Sequence, residues 1–258
     1  MSTRPLPPQT GHSPSVWPDG YGRRILDEVD STNAEAARIA PDLSGPEWIL
    51  GLKQNAGRGR RGRAWVMPSG NFAATLVLQP PGPQATWALR SFVAALALHD
   101  ALVDVTGGPE CFALKWPNDV LLNGGKLAGI LLEGLGARHL AIGIGVNLAD
   151  IPAGGELPEG ALAPVSLLSG TGVTIAPETF LEYLAASYAE RERELVTYGF
   201  APIRAAWLER AARLGQEIVA RTATSETRGL FDTIDEEGYL LLKTDSGPCR
   251  IAAADIYF

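Results

Sequence analysis

Asn123-Gly124 lies between two apolar runs, residues 120–122 and 126–133. An Asn-Gly pair accepts left-handed dihedrals at both central positions of a type I′ turn, whose twist matches that of two paired strands. It therefore predicts a tight hairpin and an antiparallel sheet in the middle of the chain. Residues 21–29, 47–53, 71–79 and 139–148 read as further strands, with Phe72, Thr75 and Val77 favouring sheet. In the last of these, Gly143 and Gly145 point to one face and leave two bare backbone positions. A flat ligand or another backbone fits there.

Helical patterns fill the gaps. Thr32 followed three residues later by Glu35 reads as a capping box, ahead of a helix over 34–40 that Pro41 closes. Residues 86–105 are rich in Ala and Leu at helical spacing, which predicts a long buried helix ended by Gly107-Gly108-Pro109. Residues 178–198 form an amphipathic helix with Phe180, Leu181, Leu184 and Tyr188 on one side, and Gly199 separates it from a helix over 201–212. A Pro/Gly-rich loop is expected over 150–166. From Leu214 the texture changes to short strands over 218–220, 227–234, 239–243 and 250–253, divided by turn signals. That spacing suggests a small β-barrel. The expected organisation is a Pro-rich tail over 1–20, a main domain over 21–212 and a barrel over 213–258.

The chemistry concentrates elsewhere. Between Gly57 and Arg63 there are four arginines and three glycines, in a protein with a formal charge of −7. Glycine lets the backbone approach a ligand closely, and arginine offers a rigid fork matched to carboxylate or phosphate. Such a run also reads as a solvated face, an import signal or a nucleic-acid patch. The acidic remainder argues against a broad nucleic-acid footprint. The pattern is not a P-loop, since it holds no lysine. Trp65 follows as a stacking surface. For Ser31, Thr32 and Asn33, helix capping competes with binding of a polar ligand at the helix start. For Lys115, Asn118, Asp119 and Lys126, edge-strand and turn residues compete with a site.

The bulk numbers exclude several classes. At 258 residues and 46% hydrophobic content the chain can stand on its own core. The two cysteines, Cys111 and Cys249, lack metal spacing and favour a reducing compartment. His12, His99 and His139 form no cluster, so a histidine-built metal site is not expected. No run approaches the roughly 18 apolar residues of a membrane span. These readings place the protein in the cytoplasm.

Four blocks in order resemble the biotin protein ligases: Asp30-Ser31-Thr32-Asn33; Gln54 through Trp65; Lys115-Trp116-Pro117-Asn118-Asp119 with Gly125-Lys126-Leu127-Ala128-Gly129; and Gly143-Ile144-Gly145-Val146-Asn147. The resemblance runs from about Tyr21 to the C-terminus. It implies an α+β fold, a mixed sheet backed by helices, followed by an SH3-like barrel. It implies that biotin and MgATP give biotinyl-5′-AMP, and that a lysine of a biotin carboxyl carrier domain then takes the biotinyl group. Ser31, Thr32, Asn33 and Gln54 would hydrogen-bond biotin, and Gly57, Arg58, Gly59 and Arg60 would close over it. Lys126 would stand at the carboxylate and α-phosphate. Gly129, Gly143 and Gly145 would give the bicyclic ring and tail room. Arg58, Arg60, Arg63, Trp65, Asn118, Lys126 and Asn147 would face the nucleotide, and Lys115 and Asp119 the anhydride. Only 30 residues precede Ser31, too few for the DNA-binding module of the repressor members, so a ligase without DNA binding is expected. The resemblance allows a homodimer and leaves a lipoate or octanoate transferase as the alternative.

Overall fold

The computed structural model describes residues 16–152, 161–222 and 224–258. Most of the Pro-rich tail and the middle of the 150–166 loop lie outside the described residues. Strand β1 (Gly22–Leu26) is followed by helix α1 (Thr32–Ile39), then β2 (Glu47–Gly51) and β3 (Phe72–Leu78). Helix α2 (Arg90–Thr106) precedes β4 (Phe112–Lys115), β5 (Asp119–Leu122), β6 (Gly125–Leu135) and β7 (His139–Val146). Helices α3 (Leu167–Thr171), α4 (Pro177–Tyr198) and α5 (Phe200–Glu209) lead into β8 (Glu217–Arg221), β9 (Glu226–Ile234), β10 (Leu240–Thr244), β11 (Gly247–Ile251) and β12 (Asp255–Tyr257).

The first sheet has the order β1-β2-β3-β7-β6-β5-β4. Its β1–β2 pair is parallel and the other pairs are antiparallel, so the sheet is mixed. Asn123 (φ 49°) and Gly124 (φ 82°) both take left-handed dihedrals, as the expected hairpin turn requires. The second sheet is antiparallel, in the order β11-β10-β9-β8-β12. This agrees with the α+β expectation and with a β-rich C-terminal unit. Neither β4 nor β12 is signalled in the sequence, since each is only a few residues long.

Alternation on the central strands explains where the site lies. Phe72, Ala74, Leu76 and Leu78 of β3, and Leu140, Ile142, Ile144 and Val146 of β7, join the large core with α2 and α4. The opposite face carries Val77 and Ala141, which pack with Ala36 and Ala40 around α1. Further along that second face come Thr75, Ala73, Gly143 and Gly145, where α1 no longer covers the sheet. One face is therefore core, and the other is half core and half cleft.

Two expectations shift by a turn or so. The α-helix expected from Thr86 begins at Arg90, after a 3₁₀ segment over Gln84–Leu89. The helix expected to reach Ala212 stops at Glu209, because its following backbone joins β4: Leu114 N–H donates to Arg210 O and Ala212 N–H to Leu114 O, each at 2.8 Å. Trp207 on α5 then packs edge-on against Phe92 at 5.4 Å and near Phe231 at 6.5 Å, fusing the two sheets' cores. Each such aromatic pair adds about 1 kcal/mol beyond its buried area.

Candidate active site

A cleft of about 760 Å³ opens over the uncovered part of the sheet face. Its floor is Ala73, Gly129, Gly143 and Gly145, and one end is the start of α1 with Ser31, Thr32 and Asn33. Arg58, Gly59, Arg60, Arg63 and Trp65 form one wall, and Lys115, Asn118, Asp119 and Lys126 another. Gln54 and Asn147 complete the expected residues that line it, with Ile256 and Tyr257 of β12 closing the rim. Residues spread from 31 to 147 thus meet in one place.

At the α1 end the polar groups are tightly organised. Thr32 N–H donates to Gln54 Oε1 at 2.9 Å, and the Thr32 hydroxyl lies 3.2 Å from the same oxygen. Thr75 Oγ1 donates to Asn33 Oδ1 at 2.6 Å and sits 2.8 Å from Thr32 Oγ1. Asn33 Nδ2 donates to Glu133 Oε2 at 2.6 Å. Buried polar groups satisfied in this way are rigid, because any movement strands them without partners.

The two bare glycines now have a physical account. A Cβ on Gly143 would stand 2.2 Å from Asn33 Oδ1, and one on Gly145 2.4 Å from Trp65 Cε2. Side chains, not a backbone, use the space in the described structure. Trp65 also lies 3.4 Å from a Cβ position on Gly129, which pairs with Gly145 across the sheet. The indole is seated on that glycine pair.

The basic wall follows from a local irregularity. The β5–β6 register shifts between Val120 and Leu121, so Leu127 and Ala128 both enter the core. The extra residue brings Lys126 to the side of the sheet that Gly129 faces, which strict alternation forbids. Lys126 Nζ then reaches Asp119 Oδ1 at 2.7 Å. Burial depresses the Lys115 pKa below that of an ordinary lysine, with Asp119 opposing.

Comparison with known proteins decides the family. The model of the biotin/lipoate A/B protein ligase family matches residues 24–147, and that of the biotin protein ligase C-terminal domain matches 214–258. The biotin–[acetyl-CoA-carboxylase] ligase of Paracoccus denitrificans is 56% identical over 91% of this chain and 99% of its own length. The chain belongs to the biotin protein ligases. The bifunctional ligase/repressor BirA of Bacillus subtilis is 34% identical over 90% of this chain and 73% of its own. The structure of the biotin protein ligase from Aquifex aeolicus in complex with biotin and ATP superposes with a TM-score of 0.79, at 25% identity, over 91% of this chain and 97% of that one.

Seen as a biotin protein ligase, the chain departs from the sequence reading at several points. The capping box does not form: Ser31 is the N-cap, no side chain caps the helix, and Thr32 is its first residue. The Thr32 hydroxyl is engaged with Gln54 and Thr75 instead. Asp30 turns away to Arg38, whose guanidinium holds the carboxyl well below the usual range. Gly57 does not line the cleft. A Cβ there would meet Trp65 O at 2.5 Å, so its glycine serves the fold of the loop. Asn118 spends both side-chain atoms within the protein, accepting from Arg60 Nη1 at 3.3 Å and donating to Ile130 O.

Other residues escaped the sequence reading. Thr75 and Glu133 hold Asn33, and Glu133 also pairs with Arg58 at 3.3 Å. Asp255 gathers three arginines of the loop. Glu133 and Asp255 carry no local pattern, since their partners lie 75 to 194 residues away.

Proposed function

We propose that the chain attaches biotin to one lysine of a biotin carboxyl carrier domain through biotinyl-5′-AMP. The observation that carries this reading is the convergence of Lys126, Arg58, Arg60 and Arg63 on a cleft whose far end is the Ser31–Asn33 and Gln54 network. A neutral polar end suits the ureido ring. A cationic end suits a carboxylate meeting a polyphosphate, whose mutual repulsion is the main obstacle.

In the first step a biotin carboxylate oxygen attacks the α-phosphorus, and the bond to the β-phosphate oxygen breaks, releasing pyrophosphate. Lys126 stabilises charge on the carboxylate and α-phosphate, and Asp119 orients it. Trp65 and Asn147 form the nucleotide side, and Asn118 acts by fixing Arg60. In the second step the lysine amine attacks the acyl carbon, AMP leaves, and the amine loses a proton. Lys115 and Asp119 stand where that amine arrives. Gly59 lets the loop's backbone lie close over the intermediate, limiting hydrolysis.

Among the described residues no group of three or more His, Cys, Asp or Glu side chains is arranged to hold a metal. Magnesium would therefore arrive with the triphosphate, where it shields phosphate charge. The residue that fits it is Asn147, whose buried Oδ1 has no hydrogen-bond partner among the described residues.

The same reading gives no repressor activity, a cytoplasmic location and a homodimer as the assembly to test. Its supports are the relative matched over 99% of its length, which is named a ligase alone, and two free cysteines. No helix among the described residues is long and apolar enough to cross a membrane. Incubation with biotin, MgATP and a carrier domain should add one biotin to the carrier by mass. A shift with lipoate and none with biotin would overturn the substrate assignment.

A further inference from the structure

We infer that Asp255, on the last strand of the C-terminal sheet, is a positioning residue that presets the arginine loop to receive the nucleotide's phosphates. This rests on the ligase reading above. Asp255 Oδ2 meets Arg61 Nη1 at 2.8 Å, and Oδ1 meets Arg63 Nη2 at 3.0 Å and Arg60 Nη1 at 4.0 Å. One carboxylate thus collects three guanidiniums that would repel one another if left together. One negative charge against three positive leaves the cluster cationic, so it still attracts an anion.

The geometry on both sides is fixed by other means. Ile256 and Ala254 are buried, and β12 pairs with β8 through Ile256 and Ala220. The carboxylate therefore stands on a rigid strand, and its neighbours Ile256 and Tyr257 line the cleft. On the loop, Arg61 takes φ 57° and Gly62 φ 73°, which turns the chain so that Arg60, Arg61 and Arg63 converge on one point. A left-handed conformation is uncommon for a residue with a Cβ, and the ion pair holds Arg61 in it. Arg60 is further tied to Asn118 Oδ1 at 3.3 Å and Ala254 O at 3.4 Å. It is the stitch between the two sheets at the cleft. A glycine-rich loop held this way has lost its entropy before substrate arrives, so less affinity is spent on ordering it.

The experiment is Asp255→Asn, with Asp255→Glu as rescue, in the full chain. Biotin-dependent pyrophosphate release should show KM for MgATP raised about tenfold, with kcat and the KM for biotin within about twofold. Without ligands, trypsin should cut after Arg60, Arg61 and Arg63 several times faster than in the wild type, and Asp255→Glu should restore most of both. Unchanged KM for MgATP with unchanged cleavage overturns the inference, and so does a tighter KM, which would make Asp255 a competitor of the phosphates. Should Asp255→Asn lose the wild-type circular dichroism, Arg61→Gln removes the closest partner from the other side and is read the same way. Wild-type protein that releases no pyrophosphate would sink the ligase reading, and the cleavage arm would still decide the role of Asp255.

Discussion

Gly143→Ala tests the account of the cleft floor most directly. The added methyl would sit 2.2 Å from Asn33 Oδ1. An ordinary carbon contact needs about 3.5 Å, so the amide must retreat by roughly 1 Å. Asn33 is 4% exposed and sits in the first turn of α1, which leaves little slack. Its bonds from Thr75 and to Glu133, both 2.6 Å, cannot survive such a shift together. Stranding one buried polar partner costs about 2 kcal/mol. Spent on the biotin end of the site, that is roughly thirtyfold in biotin affinity. Calorimetric titration with biotin measures it. Asn33→Ala and the double variant complete the cycle: if the clash with Asn33 is the cause, Gly143→Ala should cost almost nothing once Asn33 is gone. Additive losses, or wild-type affinity in the single variant, would refute the reasoning.

Gly145→Ala instead displaces the Trp65 indole, 2.4 Å from the new methyl; KM for MgATP should rise severalfold while biotin affinity holds, and equal losses for both ligands would contradict the division of the cleft. Because burial lowers the Lys115 pKa, Lys115 gives up its charge below the ordinary value of 10.5. Protonating it costs stability below the folded pKa, and that cost fades as pH rises from there towards 10.5. If its charge supports catalysis, the alkaline limb of kcat/KM should move to higher pH in Lys115→Arg, and a limb that stays put removes Lys115 from the chemistry. Glu192→Ala should destabilise the fold by about 3 kcal/mol in urea, since it leaves Arg90 buried and unpaired; the pair meets at 2.6 Å with side chains 3% and 11% exposed. A loss under about 1 kcal/mol would place the pair among ordinary surface bridges.

What could be read from the sequence was local. Asn123-Gly124 specified its own turn, the Gly143/Gly145 alternation specified one face, and the glycine-arginine run announced anion chemistry. Each of these needs only neighbouring residues to be interpreted. What could not be read depends on partners far along the chain. Glu133 has meaning only once β6 lies beside α1, and Asp255 only once β12 lies against the loop. The register shift beside Leu121 is another case: Lys126 and Gly129 look opposed in an alternating strand, and only the extra residue reunites them. The capping box failed because Thr32 found stronger partners in Gln54 and Thr75 than its own helix offered.

The seat of Trp65 has a practical side. Trp48, Trp87, Trp116 and Trp207 are buried, and Trp17 is half-buried against Tyr21 and Arg23. Trp65 is a half-exposed indole resting on glycine with arginines alongside. It is a built-in fluorophore at the point where a nucleotide base would stack. Subtracting the emission of a Trp65→Phe variant isolates its signal, so the order in which the two small molecules enter can be followed in real time without any label.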